Sequence, residues 1–296
     1  MTSTPTETVY APLTVPRDLR TFAQHNVGLL AEVVECSGLA GRSRVWRLTN
    51  RQGDRWYLKQ HPSVKMHSRE VAAYAQWTIA LGPGRAPQLR AADPALSAIV
   101  VSPVPGEVVH GRSLRGADER EVHRQLGALL RSFHYAAPGR PAVAGCPSLG
   151  EVERKLATAR PHLRRGDEVL IREFASRLIT LVPLPHVPTH GDAQLRNALW
   201  DDRRRQLALI DFERAAYAPA VRDMIRLEYG CWDHRPDLRE AFYEGYGRVL
   251  TAMETEALHA MAALDALSGI AWGPGAGDRE VVERAYRTLT RLRVNI

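Results

Sequence analysis

The chain has 296 residues, of which 45% are hydrophobic and 25% charged, values typical of a folded soluble protein with one large core or two lobes. Its net charge of +7 raises the question of a nucleic-acid partner. The excess is confined to residues 1–149, which hold 18 basic and 11 acidic residues, whereas residues 150–296 hold 22 of each. No basic run exceeds the three arginines at 203–205, so we predict no nucleic-acid partner.

The other bulk features favour a cytoplasmic protein without a membrane partner. The start of the chain is polar and rich in Thr and Pro, and lacks the apolar segment of a signal peptide. No uncharged run is long enough to cross a bilayer. Three cysteines without metal or disulfide spacing are typical of free thiols in a reducing compartment. The sequence leaves monomer and dimer equally open.

The first third has the pattern of a β-sheet with one helix. Residues 35–46 form a loop of small residues between two strand-like runs, without the glycine-lysine signature of a P-loop. Trp56–Gln60 alternates like a strand and carries Lys59 near its end, a notable position because only three of the 40 basic residues are lysines. A helical pattern follows over Met66–Leu81, with Glu70 in its first turns.

The rest of the chain is predicted to be mainly helical. An apolar strand near 96–101 runs into a proline-rich turn that ends at Gly106. Helical patterns then cover residues 118–135, 149–163, 168–181, 220–231, 238–250, 254–269 and 278–292. They are interrupted by one hairpin, whose apolar strands at 197–200 and 207–210 flank a charged tip. This order predicts an α+β protein with an N-lobe at 1–106 and a C-lobe at 107–296.

The most informative motif is His-Gly-Asp-Ala-Gln-Leu-Arg-Asn at 190–197, followed by Leu-Ile-Asp-Phe-Glu at 209–213. In phosphoryl-transfer enzymes of the protein-kinase type, an Asp accepts the proton of the attacking hydroxyl and an Asn five residues later holds Mg²⁺. A second Asp at a following strand end bridges metal and nucleotide phosphates. Asp192, Asn197 and Asp211 have this spacing, and the hairpin places the last two at one end of adjacent strands. By itself, a His-Gly-Asp triplet also fits a simple turn.

The two motifs resemble H-G-D-x-x-x-x-N and I-D-[FW]-E of the aminoglycoside phosphotransferase and choline-kinase-like family of small-molecule kinases. Gly191 and Glu213 depart from protein kinases and agree with this family. The resemblance implies a bilobal protein-kinase-like fold, with a small antiparallel-sheet N-lobe that carries one helix and a mainly helical C-lobe. It also implies ATP and Mg²⁺ as cofactors, with GTP not excluded.

The resemblance further implies nucleotide contacts from the phosphate-binding side of the N-lobe. Lys59, paired with Glu70, would hold the α- and β-phosphates. The small-residue loop takes the place of the hairpin that covers the phosphates, so Ser37, Gly38 and Ser43 are candidate contacts. The alternatives are a solvated strand lysine, an acid favoured by the helix dipole, and ordinary turn residues.

The adenine would lie against the backbone after the apolar strand. Alignment of the Pro-Gly pair with the family places the carbonyl of Ser102 opposite the adenine amino group and the N–H of Val104 opposite its ring nitrogen. Pro103 falls between them, where a missing donor costs nothing. A buried strand that leaves a sheet through a proline-rich turn is compatible with the same pattern.

The catalytic loop and acceptor side complete the predicted site. Asp192 would act as the general base, while Asn197 and Asp211 would hold Mg²⁺. Arg196 would offset charge on the transferring phosphate or, equally, brace the loop through a salt bridge. The acceptor is predicted to carry an amine, held by carboxylates in the neutral C-terminal half: Glu228, Asp233 and Asp237. The alternative for these acids is a solvated helical face with i,i+4 ion pairs.

We therefore expect an ATP-dependent phosphotransferase that phosphorylates an alcohol group of a small molecule. An antibiotic acceptor is the first hypothesis. A metabolic or biosynthetic kinase of an amino alcohol, sugar or natural-product intermediate is the alternative. A catalytically silent scaffold would need a broken site, and none of the five key positions is broken: Lys59, Glu70, Asp192, Asn197 and Asp211.

Overall fold

A computed structural model describes residues 15–37, 43–141, 148–181 and 184–294. The chain divides into two compact units. The first contains Met1–His67 and Gln88–Pro103, and the second contains Ser68–Pro87 and Val104–Ile296. The division of the chain into lobes at 1–106 and 107–296 stays a prediction.

The first unit is built on a five-stranded antiparallel sheet. Its strands are β1 (Leu30–Glu35), β2 (Arg44–Asn50), β3 (Arg55–Gln60), β4 (Leu89–Asp93) and β5 (Ala98–Val101). Their order in the sheet is β1-β2-β3-β5-β4. An amphipathic helix absent from the sequence prediction, α1 (Arg17–Val27), buries Leu19 and Ala23 in one core with Trp46 and Leu58. Lys59 lies on β3, where it pairs in register with Val45 of β2 and Ile99 of β5.

The helix predicted over 66–81 is shorter than expected. It forms α2 (Val64–Gln76), and a separate 3₁₀ turn follows at Thr78–Leu81. The turn ends at Gly82, which adopts a positive φ of 86°. Such tightening is common at helix C-termini, where the last carbonyls have no i+4 donor.

Helices make up most of the second unit. They are α3 (Gly116–His134), α4 (Leu149–Ala159), α5 (Asp167–Thr180), α6 (Ile225–Glu228), α7 (Pro236–Tyr246), α8 (Ala252–Trp272) and α9 (Arg279–Val294). The apolar stripe of α3, which includes Leu126, Leu130 and Phe133, is fully buried in the core of this unit. α8 is an alanine-rich helix that packs against α4, α5 and α9. Among the described helices, none is long and apolar enough to span a membrane.

Two small antiparallel sheets accompany these helices. One joins β6 (Glu107–Val108), β8 (Ala198–Asp201) and β9 (Gln206–Leu209) in the order β6-β8-β9. The predicted hairpin is confirmed, because β8 and β9 pair from Ala198 with Leu209 to Asp201 with Gln206. The other sheet, which the sequence did not predict, pairs β7 (His186–Thr189) with β10 (Ala216–Pro219).

The predicted helices near the C-terminus differ from the structure at two places. The segment predicted as one helix over 220–231 is a 3₁₀ turn at Ala220–Asp223 followed by the single turn of α6. The helix predicted over 238–250 ends at Tyr246, because Gly247 adopts a left-handed conformation with φ of 82° and closes it.

Candidate active site

The predicted catalytic loop leaves β7 and is anchored by a buried carboxylate. Asp223 accepts hydrogen bonds from the backbone N–H groups of His190 (2.7 Å) and Gly191 (2.6 Å). Its Oδ2 also lies 3.1 Å from Nε2 of His134. Gly191 has a φ of 78°, and a Cβ there would collide with the carbonyl of Arg214. The loop therefore needs glycine at 191 and an acceptor at 223.

His190 connects this loop to the end of β9. Its Nε2 lies 3.0 Å from the carbonyl oxygen of Ile210, and its Nδ1 accepts the N–H of Asp192 at 3.3 Å. One neutral tautomer, with the proton on Nε2, satisfies both contacts. Burial lowers the pKa of His190 and keeps the ring neutral. Burial opposes ionisation of Asp223, but the hydrogen bonds from His134 and from the backbone N–H of Gly191 hold the pKa of Asp223 below its usual range.

The carboxylate of Asp192 is buried and held by four side chains. Its Oδ1 accepts from Nε2 of Gln194 at 2.5 Å and is ion-paired with Arg226. Its Oδ2 accepts from Arg196 at 3.0 Å and from Nδ2 of Asn197 at 3.2 Å. These contacts fix the orientation of a carboxylate that is 4% exposed. Arg196 thus lies beside the predicted base, where both of its proposed roles remain open.

Asn197 and Asp211 lie close to the open end of the hairpin. The N–H of Ile210 donates to the carbonyl of Asn197 at 3.0 Å, which continues the β8-β9 ladder by one residue and places Asp211 one residue beyond the partner of Asn197. Nδ2 of Asn197 donates to the backbone carbonyl of Asp192 at 2.9 Å, so its amide oxygen is the ligand atom that remains. Asp211 has a φ of 68°, an unfavourable conformation for a non-glycine residue that is often found at functional sites. An amide oxygen and a carboxylate are hard ligands and fit Mg²⁺.

A small cavity of about 60 Å³ opens beside Asp192. Three arginines and two further carboxylates contribute to its wall: Arg214, Arg222, Arg226, Asp223 and Asp265. Arg226 connects Asp192 to Asp265, whose Oδ1 lies 3.4 Å from its Nη2. Burial opposes the charge of Asp265, but Arg226 and other nearby arginines hold its pKa below the usual range.

Sequence reasoning missed both Arg226 and Asp265. Asp265 lies in the middle of α8, where nothing local distinguishes it from a solvated acid. Arg226 follows Asp223 by three residues, a spacing that places two side chains on one face of a helical segment. The spacing from Asp223 is therefore the sequence signal that could have placed Arg226 near the catalytic loop.

The predicted phosphate-side residues lie on β3 and α2. Lys59 is buried on β3. Glu70, on α2, accepts hydrogen bonds from the N–H of Phe212 at 3.2 Å and from the hydroxyl of Tyr74 at 3.3 Å. Glu70 is therefore hydrogen-bonded to Phe212, the residue that follows Asp211. The ion pair between Lys59 and Glu70 stays a prediction.

The small-residue loop is only partly described. The hydroxyl of Ser37 donates to Glu35 at 2.8 Å and accepts the N–H of Val45 at 3.0 Å, so it links the end of β1 to the start of β2. Ser43 directly precedes β2. Gly38 lies outside the described residues. Their contacts with a nucleotide stay predictions.

The predicted adenine contacts flank the point where the chain passes between units. Ser102 belongs to the first unit, and its hydroxyl accepts the N–H of Gln88 at 2.9 Å. Val104 begins a segment of the second unit. Only the backbone groups of these two residues would contact adenine, and this too stays a prediction.

The acids predicted to bind the acceptor all lie against arginine side chains. The pairs are Glu228 with Arg239 at 3.0 Å, Asp233 with Arg291 at 3.8 Å, and Asp237 with Arg235 at 2.9 Å. The partners are 11, 58 and 2 residues apart along the chain, so none of the three is the i,i+4 pair of the alternative interpretation. A role of these acids in acceptor binding stays a prediction.

Comparison with known proteins identifies the family. The sequence model of the phosphotransferase enzyme family matches residues 32–264. The chain belongs to this family. The predicted resemblance to small-molecule kinases is therefore confirmed, as is the prediction of a phosphotransferase with an alcohol group as acceptor. No curated protein matches the sequence.

Several phosphotransferases of known structure share the fold of this chain, although their sequence identity to it is low. An aminoglycoside 2'-phosphotransferase IIIa in complex with GDP is 14% identical with a TM-score of 0.68, and the alignment covers 94% of this chain and 97% of that one. The macrolide 2'-phosphotransferase MphH from Brachybacterium faecium is 18% identical with a TM-score of 0.61, at 92% and 97% coverage. A spectinomycin phosphotransferase with ADP and spectinomycin is 16% identical with a TM-score of 0.61, at 93% and 91% coverage. The predicted α+β, protein-kinase-like fold is confirmed.

Proposed function

We propose that the protein transfers the terminal phosphate of ATP to a hydroxyl group of a small-molecule antibiotic. The observation that carries this proposal is the contact between Asp192 and Asn197, with Asp211 one residue beyond the hairpin partner of Asn197. The family match supports phosphoryl transfer in general. The antibiotic acceptor is supported by the structural neighbours, which include macrolide and spectinomycin phosphotransferases.

In the proposed reaction Asp192 orients the acceptor hydroxyl and takes its proton as the phosphorus–oxygen bond forms. The four donors around this carboxylate keep it from rotating, so its geometry is set before the acceptor binds. The guanidinium of Arg196 lies 3.0 Å from Oδ2 of Asp192 and would offset the negative charge of the transferring phosphoryl group.

Asn197 and Asp211 are the proposed metal ligands. Mg²⁺ held by them would supply positive charge against the β- and γ-phosphates of the nucleotide. His190 connects the catalytic loop to the end of β9 through its contact with Ile210. Lys59 and Glu70 are the proposed phosphate-binding pair. Ser37, Gly38 and Ser43, together with the backbone of Ser102 and Val104, are the proposed remaining contacts with ATP.

The amine expected on the acceptor stays a prediction. The three acids assigned to it already have arginine partners, so an amine would have to displace a guanidinium from each. The choice between ATP and GTP is also part of the proposal, since neighbours of the same fold were solved with ADP and with GDP.

The test is a nucleotide-consumption screen with Mg²⁺ and either ATP or GTP. The acceptors are aminoglycosides, peptide antibiotics, macrolides and simple amino alcohols. We expect at least one antibiotic to stimulate consumption, and we expect Asp192→Asn to reduce the stimulated rate by about 10²–10⁴-fold. Asp18→Asn, a matched change at an exposed residue of α1, should leave the rate unchanged. Stimulation only by amino alcohols would refute the antibiotic acceptor and leave phosphoryl transfer standing.

A further inference from the structure

The carboxylates in the wall of the cavity beside Asp192 are in contact with donors, whereas two of its arginines are not in close contact with an acid. Each carboxylate in its wall already has donors. Asp192 is held by Arg196 and Arg226, and Asp265 by Arg226. Asp223 is occupied by two backbone N–H groups and a histidine. Each acid in the wall is therefore already in contact with at least one donor.

Two arginines of the same wall make no close contact with an acid, although the charge of Arg214 helps to lower the pKa of Asp265. The guanidinium groups of Arg214 and Arg222 make no ion pair or hydrogen bond with any residue in the described parts of the chain. A third arginine, Arg69, lies close to both. Burial lowers the pKa of Arg69, and the charges of Arg222 and Arg214 lower it further. Three cations that repel one another at a partly buried site favour the binding of an anion.

The size of the cavity limits what it can hold. A volume of about 60 Å³ corresponds to roughly two water molecules, enough for a carboxylate or a phosphate group but not for a sugar ring. Arginine is well suited to such groups because its planar guanidinium can donate two parallel hydrogen bonds to a pair of oxygens. Asp192 forms part of the same wall, so a group bound there would be attached to a molecule next to the reacting hydroxyl.

We propose that Arg214 and Arg222 form a subsite for an anionic substituent, a carboxylate or a phosphate, on the acceptor. The inference rests on the proposed function, since it assigns the acceptor class of the same site. The acceptor is then a hydroxylated acid, which binds with its anionic group in the cavity and its hydroxyl at Asp192. An anionic group is opposite in charge to the amine predicted from the sequence, so a binding experiment can distinguish the two predictions.

The nucleotide is the competing anion, because its terminal phosphate also reaches Asp192 during transfer. The experiment therefore uses protein saturated with Mg²⁺ and a non-hydrolysable ATP analogue, so that all three phosphate positions are filled. Binding of sulfate, glucuronate, glucose and glucosamine to this complex is measured by calorimetry. Sulfate imitates a phosphate group and glucuronate supplies a carboxylate, while glucose and glucosamine are the neutral and cationic matches.

We expect sulfate or glucuronate to bind the nucleotide complex more tightly than glucose and glucosamine. The double variant R214Q/R222Q should weaken that anion by about tenfold or more, because it removes charge-assisted hydrogen bonds. R279Q/R287Q, which removes the same charge from exposed positions of α9, should bind like the wild type. R214K/R222K keeps the charge and should retain part of the affinity, which separates loss of binding from loss of folding. Sulfate and glucuronate binding together indicate a general anion subsite, and binding of one alone identifies the group.

Three results would overturn the proposal. The first is that neither anion binds the nucleotide complex, and the second is that R214Q/R222Q binds the anion as tightly as the wild type does. The third is that R214Q/R222Q weakens binding of the ATP analogue itself, which would assign the arginines to the nucleotide. Because no turnover is needed, these outcomes are independent of whether Asp192 supports phosphoryl transfer.

Discussion

At the scale of single residues, the candidate site is a set of side chains that orient one another. Asn197 uses its amide nitrogen to hold Asp192 and keeps its oxygen for a metal. Arg196 and Arg226 approach different oxygens of the same carboxylate. Each of these residues makes its own contact with Asp192, so the effect of removing each contact can be measured in a separate variant.

A variant of Arg196 can distinguish a catalytic role of this residue from a bracing role. Arg196→Ala should lower kcat by about tenfold or more, with little change in the KM for nucleotide, because a charge next to the transferring phosphate acts in the transition state. Steady-state kinetics and thermal unfolding of the same variant provide the measurement. A lower Tm with unchanged kcat would show that Arg196 only braces Asp192.

Asp211 should act on binding. Asp211→Ala removes the proposed carboxylate ligand of Mg²⁺, so the affinity for Mg²⁺-ATP should fall by about tenfold or more. Calorimetric titration with Mg²⁺-ATP measures the effect. Asp202→Ala, at the exposed tip of the same hairpin, is the control and should bind like the wild type. Equal affinities in both variants would remove Asp211 from the metal site.

The residues that sequence reasoning found are those whose partners are close along the chain. Asp192, Asn197 and Asp211 span twenty positions joined by one hairpin, so their spacing alone brings them together. Arg226 and Asp265 reach the site from α6 and α8 through tertiary packing. Their positions depend on the packing of the whole second unit, and no local pattern contains that information.

At the scale of elements, α3 and α7 pack closely, and each carries a glycine at their contact. A Cβ at Gly127 would overlap the carbonyl of Phe242, and a Cβ at Gly245 would overlap the carbonyl of Arg124. Each helix thus presents a glycine to the backbone of the other. The same pair of helices supports Asp223, because His134 at the end of α3 contacts both Asp223 and Tyr246 of α7.

Gly245→Ala should therefore be destabilising even though alanine favours helices. The added methyl group has to push backbone apart, which we expect to cost about 1–3 kcal/mol or more. Gly150→Ala in α4 is the matched control, since its Cβ would meet only the Arg154 side chain at 3.8 Å. That variant should be neutral or gain up to about 1 kcal/mol. Chemical denaturation of both variants tests the prediction, and equal stabilities would refute the close contact.

Element type was predictable where the pattern was long, and failed where a single side chain fixes the backbone. The apolar stripe of α3 is long enough to decide its structure. The segment at 220–231 has the same helical composition, yet Asp223 has to accept from two consecutive N–H groups of the catalytic loop. That requirement interrupts the helix after Asp223, and it is a tertiary contact that composition does not contain.

At the scale of the whole molecule, buried histidines link stability to pH. Burial lowers the pKa of His123 to about 4, and its Nδ1 accepts a hydrogen bond from Trp232 at 3.2 Å. Protonation of that nitrogen would break the bond and bury a charge. The unfolded chain binds this proton near pH 6.5, so the folded state loses stability as the pH falls from about 6.5 toward 4.

We expect the free energy of unfolding to fall by up to about 3 kcal/mol over this range through His123 alone. His123→Gln keeps an acceptor for Trp232 without titrating, so its stability should depend less on pH between 6.5 and 4. His25→Gln, at an exposed position, should keep the wild-type dependence. Denaturant unfolding at several pH values provides the measurement. Identical profiles for wild type and His123→Gln would contradict the assignment.

The central claim is that this fold transfers the terminal phosphate of ATP to a hydroxyl, with Asp192 as the base. The most direct test follows the phosphorus nuclei of a reaction with an active acceptor by ³¹P NMR. We expect one phosphomonoester for each ADP formed, with both rates reduced about 10²–10⁴-fold in Asp192→Asn and nucleotide affinity retained. Formation of ADP with inorganic phosphate only, or near-normal ester formation by Asp192→Asn, would contradict it.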